Sequence, residues 1–286
     1  MTPGTLLRQW LASALPPERL AWLQDSVHRV CETRRDADLY LAFSLAARKT
    51  GRQPLVFTGR DLEAADQARP GWCPAGLTVE QAARLYLLLA TLADVDVFER
   101  RLNQLCVTAD AAEIVTLYRG LPLYPQPGRY RLRAAEGLRS SMKPVFEAIA
   151  HHNPYAAEQL PEEAWNQMVL KALFIGSALD PITGLDQRAN PRLARMLLDH
   201  AHERWAARRP VNPELWRCVG PFADAEALPD LARVLQGGTR DEQAAAALAL
   251  HACRLPEAAA LLQRHHGLLL AIRNGSLHWS TLAATT

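Results

Sequence analysis

The chain predicts an all-α fold, a curved stack of antiparallel helix pairs, and three observations carry that expectation. Apolar residues recur at helical spacing along nearly the whole length. No stretch alternates β-branched with polar residues as a half-buried strand would. Past Pro213 the helices shorten and become rich in Ala and Leu, the residues that let paired helices approach closely.

The elements follow in order. Periodicity predicts helices over 5–14, 18–33 and 36–49, with Pro16 and Pro17 separating the first two and suited to a helix start. Residues 50–77 are punctuated by Gly51, Pro54, Gly59, Pro70, Gly71, Pro74 and Gly76, which predicts a long ordered loop with one short helix at 60–68. Thr78, with Gln81 three residues on, has the pattern of a capping box and opens a helix to about Ala93. Helices over 95–106 and 109–119 lead to a Pro/Gly connector at 120–130, then to helices over 131–138, 141–152 and 161–175. A turn-rich connector at 176–191 precedes a helix over 192–208. Beyond it, Leu228–Pro229, the glycines at 237 and 238 and the Ala/Leu run ending at Cys253 resemble a HEAT-type helical pair, although no fixed period runs through the chain and any repeats are degenerate.

At 286 residues, 49% hydrophobic and 22% charged, the chain has the composition of a soluble globular protein. One all-helical domain over 1–286 is expected, in three parts: an N-terminal helical part (1–120), a motif-bearing centre (121–222) and a HEAT-like C-terminal part (223–286). No apolar run reaches the ~18 residues of a membrane span, and the N-terminus lacks the basic leader and apolar segment of a signal peptide. Cys31, Cys73, Cys106, Cys218 and Cys253 are far apart and odd in number, which fits reduced thiols in the cytoplasm. A net charge of +2 argues against nucleic acid as a partner. Only Lys49, Lys143 and Lys171 are lysines among 32 basic residues, so a lysine inside an apolar helix stands out.

That helix is Pro161–Ile175. It is apolar almost all round, which places it inside a layered helical protein, yet it carries Asn166, Gln167 and Lys171. Buried polar groups need partners, so these three are expected to share a patch satisfied by protein, water or ligand. Downstream, Asp186 and Arg188 lie in a loop, where binding groups commonly sit; Asn190 with Pro191 reads as an N-cap and first helical residue. His200 and His202, two apart, point in different directions and cannot chelate one metal as an i,i+4 pair would. His202 flanks the apolar stripe Ala194, Leu197, Leu198, Ala201 and Trp205, whereas His200 is expected on the opposite flank, in line with Arg204 and Arg208. His151 and His152 close a helix, where histidine complements the helix dipole, and Asn153 before Pro154 is a helix stop. Arg129, Arg131, Arg133, Arg139 and Lys143 form a basic stretch opposed only by Glu136, either a solvated face or an anion-binding one. Nucleophile-elbow, Walker and dinucleotide motifs are absent, and neither a metal nor another cofactor is expected.

HHNPYAAEQLPEEAWNQMVLKALF, followed by GLDQRANPRLARMLLDHAHERWAARRPVNPELWR and GPF, resembles the EboA domain family over at least Arg129 to Phe222. The upstream YRLRAAEGLRSSMKPVFEAIA also fits; the N-terminal third is less distinctive. Asn166, Lys171, Asp186, Asn190, His202, Glu203, Arg204 and Trp205 match the family pattern. The resemblance implies a bacterial gene cluster with a TatD-like hydrolase, a UbiA-like prenyltransferase, a sugar-cyclase-like and a xylose-isomerase-like protein as partners. It also implies a part in making or exporting a secondary-metabolite precursor, with no catalytic residues to carry over.

Two functions follow. The first is a non-catalytic helical-repeat protein that binds a metabolite or a pathway partner, with Asn166, Gln167, Lys171, Asp186, Arg188, His202, Arg204 and Trp205 as candidate ligand-binding residues. The second is an enzyme acting on a small polar or anionic substrate, with Lys171 as the electrostatic or proton-transfer group, His202 as acid/base and Asp186 orienting it. The absence of catalytic motifs favours the first.

Overall fold

The computed structural model describes residues 1–283, and among these there are eighteen α-helices and no strands. The helices form two compact units, residues 1–160 and residues from 161 onward. That division falls inside the central part that the sequence marks off at 121–222. Among the described residues no helix is long and apolar enough to cross a membrane.

The first unit holds α1 (Pro3–Ala14), α2 (Pro17–Thr33), α3 (Asp36–Thr50), α4 (Gly59–Ala68), α5 (Val79–Ala90), α6 (Val95–Thr108), α7 (Ala111–Arg119), α8 (Arg131–Arg139), α9 (Lys143–Ala150) and α10 (Tyr155–Gln159). Its centre is α5, which buries Val79, Ala82, Ala83, Leu85, Leu87 and Leu88 and carries α1, α2, α3 and α7 packed around it. Burial on this scale supplies most of the stability, at about 25 cal/mol per Å² of apolar surface. The capping box expected at Thr78 and Gln81 is present, and Thr58 with Asp61 and Asp110 with Glu113 form two more. Two buried charges also belong to α5. Arg84 donates to Glu80 (2.9 Å), to Glu113 (3.0 Å) and to the Phe43 carbonyl (3.1 Å), so all three guanidinium nitrogens are engaged inside the core.

The loop between α3 and α5 is ordered by specific bonds. Leu55 N–H donates to the Leu77 carbonyl and Val79 N–H to that of Gln53, pinning its two ends together (both 2.9 Å). Within it, the Trp10 indole N–H donates to Asp61 (2.8 Å), and Trp10 packs between Phe57 and Trp72. Hydrogen bonds from the Thr58 hydroxyl and backbone N–H, joined by that of Trp10, hold the Asp61 carboxyl below its usual range. A depressed folded value contributes stability above the unfolded pKa of ~3.9, and that stability is lost as pH falls through the folded value. Asp61→Asn is therefore expected to lower the urea midpoint near neutrality, with the gap to the parent closing near pH ~3. A gap of constant size across that range would show that Asp61 ionisation is irrelevant here.

The basic stretch after residue 128 is neutralised by more than Glu136. Arg129 binds Glu99 (2.6 Å) and Asp96 (2.5 Å) from α6, Arg133 binds Glu136 (2.6 Å) and Asn103, and Lys143 lies 3.6 Å from Glu147. Glu99 and Asp96 lie thirty or more residues upstream, beyond the reach of linear counting, whereas Glu136 and Glu147 lie one turn downstream of their partners.

The second unit holds α11 (Glu162–Phe174), α12 (Pro191–Ala206), α13 (Trp216–Val219), α14 (Leu228–Gly237), α15 (Arg240–Ala252), α16 (Pro256–Gln263), α17 (His266–Arg273) and α18 (Trp279–Ala283). Its central helix is α15: Ala244 to Leu250 are all buried, and α13, α14, α16, α17 and α18 pack on it. Expectation and structure part at α11. That helix buries Trp165, Asn166, Met168, Val169 and Ala172, but Gln167 is exposed and Phe174 is 65% exposed. An apolar composition all round does not guarantee cover on every side, and α11 packs chiefly on α12.

Candidate functional site

The candidate residues of the second unit separate into several networks. Asn166 and Asn190 exchange amide hydrogen bonds (2.9 and 3.2 Å), and the Asn190 side-chain oxygen also accepts from Leu193 N–H (2.9 Å), capping α12. Asn190 donates once more to the Arg188 carbonyl, and the Arg188 guanidinium lies 4.8 Å over the buried Trp165 ring. This amide pair answers the question of what satisfies Asn166. The patch shared by Asn166, Gln167 and Lys171 does not form: adjacent helical residues point about 100° apart, so Asn166 goes inward and Gln167 out to solvent. Lys171, one turn from Gln167, is half-buried, and desolvation lowers its pKa.

A second network is built on Arg217, which binds both oxygens of Asp186 (2.7 and 2.8 Å) and one of Asp180 (2.7 Å). Burial acts against its charge, but the two carboxylates outweigh it and raise its pKa. The buried Glu214 accepts from the Leu179 and Asp180 N–H groups (2.9 and 2.8 Å), so two side chains fasten the 176–190 connector. A third network surrounds Trp205, stacked on Trp216 (5.9 Å between centroids) with Arg233 4.3 Å from its ring. His202 is exposed and bonded to Asp230 (2.6 Å), and Arg204 donates to the Pro210 carbonyl. The carboxylate that orients His202 is thus Asp230, while Asp186 is engaged by Arg217. His200 also departs from expectation: it is buried, edge-on to Phe174 at 4.8 Å, because it continues the stripe of Leu193 and Leu197.

A cleft of about 270 Å³ lies in the first unit. One wall is the loop segment Trp72–Leu77, and the other is formed by Arg119 at the end of α7 and by Pro144, Glu147 and Ala148 of α9, with His151, His152 and Asn153 at the corner beyond. The loop wall is shaped by Gly71 and Gly76, both at positive φ (76° and 73°), which glycine adopts without strain. Gly71 N–H is held by Asp66 (2.7 Å), and Trp72 is buried against Trp10. Arg119 reaches across and donates to the carbonyls of Ala75 (2.7 Å) and Gly76 (2.9 Å). Burial lowers the pKa of Arg119, and guanidinium nonetheless stays protonated in proteins.

The corner has a defined construction. Buried Asn153 donates to the carbonyls of Ala148 (2.8 Å) and Tyr118 (3.1 Å) and accepts from Tyr155 N–H (3.0 Å), using its whole amide to tie α9, α7 and α10 together. This bracket holds His152 at φ 50°, a left-handed conformation that costs a residue with a β-carbon free energy. Both imidazoles border the cleft with the Cys73 thiol and the Glu147 carboxylate. The cleft therefore offers one fixed cation, two imidazoles, a thiol and a carboxylate over an apolar floor of Leu77, Leu85 and Ala148. Among the described residues no three His, Cys, Asp or Glu side chains are grouped to hold a metal ion.

Nothing in the linear sequence marks a site at this corner. HHNP was visible as a helix end, but its approach to a loop some eighty residues earlier is a tertiary fact. The signals available were the length of the ordered loop and the paired histidines.

In comparison with known proteins, the family model described as "Metabolite traffic protein EboA" matches residues 4–220. No curated protein and no solved structure matches the chain.

Proposed function

The chain belongs to the EboA family, and from that premise we propose that it is a non-catalytic helical protein that holds a small metabolite in the cleft bordered by Trp72, Arg119, His151 and His152. The observation that carries this reading is the cleft itself: mostly apolar, with a few polar groups converging on it, the usual make-up of a small-molecule site. Its volume suits a compact molecule at the small end of such sites. A binding role is favoured over an enzyme acting through Lys171, Asp186 and His202, because Asp186 and His202 are engaged by different partners, Arg217 and Asp230. In this reading the 161–222 segment offers its exposed side chains, among them Gln167 and His202, to pathway partners of the hydrolase, prenyltransferase, cyclase or isomerase type. The family description supports handling of a secondary-metabolite precursor, and five free cysteines support a reducing, cytoplasmic location. The succession of α14, α15 and α16, each packed on the next, supports a HEAT-like arrangement.

The test is native mass spectrometry of the full chain after incubation with a metabolite extract of the producing cells, beside a Val115→Trp variant that fills the cleft from α7. The parent is expected to retain a small molecule that the variant, folded by circular dichroism, does not. Equal retention by both would place the ligand elsewhere.

A further inference from the structure

We propose that the molecule held in this cleft is an anion, carrying a carboxylate or a phosphate, and that Arg119 takes its charge; the proposal rests on the cleft being the binding site. The other guanidinium groups of this unit that are not exposed are all paired with carboxylates. Arg69 is paired with Glu158, Arg84 with Glu80 and Glu113, Arg101 with Asp36, and Arg133 with Glu136. Arg119 is the exception among the arginines of residues 1–160 that are not exposed. Its hydrogen bonds go to two backbone carbonyls, dipoles that orient the group without neutralising it. Arg119 is half-buried, its charge has no carboxylate partner among these ion pairs, and it stands at the edge of a cleft, so an anion that enters there meets an unneutralised guanidinium.

The acidic group nearest to hand does not fill that role. Glu147 borders the same cleft, but Lys143 lies 3.6 Å from it, one turn away on α9. Two of the five guanidinium N–H groups are used on Ala75 and Gly76, which leaves three, and a planar fork matches the oxygens of a carboxylate or phosphate. The His151 and His152 rings border the same space. A neutral ligand would fill the volume and leave the charge as it is. The carboxylate and phosphate sources share this chemistry, and the experiment separates them.

The experiment is calorimetric titration of the full chain with inorganic phosphate, with malonate and with neutral myo-inositol, on the parent and on Arg119→Lys, Arg119→Gln and Val115→Trp. One anion, phosphate or malonate, is expected to bind one site, to weaken with added salt, to weaken at least about tenfold in Arg119→Gln and less in Arg119→Lys, and to vanish in Val115→Trp. In the parent, the bound anion is also expected to slow alkylation of Cys73 while leaving exposed Cys31 unaffected, a readout that stands should Arg119→Gln fail to fold. Anion binding unchanged in a folded Arg119→Gln overturns the proposal. So does the absence of phosphate and malonate binding into the millimolar range. If myo-inositol alone binds and Val115→Trp abolishes it, the cleft remains the site and only its charge preference is wrong. If the Val115→Trp chain keeps the metabolite seen by mass spectrometry, the site itself has been misplaced.

Discussion

Arg84→Met is expected to destabilise the protein by about 3–5 kcal/mol, the scale observed when one member of a buried ion group is removed. The side chain is 3% exposed and supports Glu80, at 8%, and Glu113, at 12%. Without it two carboxylates remain in the core of the first unit facing each other across an apolar side chain, and the Phe43 carbonyl loses its donor. Both acids would have to take up protons or draw in water. The triple change Glu80→Leu, Arg84→Met, Glu113→Leu is expected to recover much of the loss, since hydrophobic replacement of a whole buried ion group is often neutral or better. Chemical denaturation followed by far-UV circular dichroism decides it. A loss below about 1 kcal/mol for the single change would mean that the group behaves as a surface salt bridge.

Gly220→Ala should be nearly as damaging, for a different reason. A β-carbon there would lie 2.6 Å from the Ala249 carbonyl oxygen and 2.7 Å from its Cα. Both are backbone atoms of α15, the helix on which the second unit is assembled, and neither can swing away as a side-chain tip would. Overpacking of this kind costs about 1–3 kcal/mol and more where the backbone itself must move. Gly237→Ala is the control: it lies in α14 with nothing within 4 Å of the new carbon, and it should stabilise by about 0.5–1 kcal/mol through lost chain entropy. Equal urea midpoints for the two variants would refute the steric account.

The all-α class and most helix limits were legible because they depend on near neighbours. Thr78 bonding Gln81, or Asn190 bonding Leu193, is a matter of three residues, and a sequence displays it directly. What was hidden is the second use of the same groups. Asn190 is also the partner of Asn166, twenty-four residues away, and Arg119 meets Ala75 and Gly76 more than forty residues back. Such pairings leave no periodic trace. The short helix α10 within HHNPYAAEQ was missed as well, because five residues are too few to show a period. His200 and Gln167 were misplaced for a related reason: which side of a helix is covered depends on the helix beside it, so composition reveals how much apolar surface exists and not which part has a neighbour.

The loop from Gly51 to Thr78 is fastened at both ends and again through Trp10 and Asp61, and Arg119 is already locked onto it before anything arrives. A flexible arginine gives up rotational freedom each time it grips a guest; one immobilised by its own chain does not. Under the proposed binding role, a cleft assembled in this way would be filled and emptied repeatedly without rebuilding its grip, which is the property that distinguishes a courier from a vault.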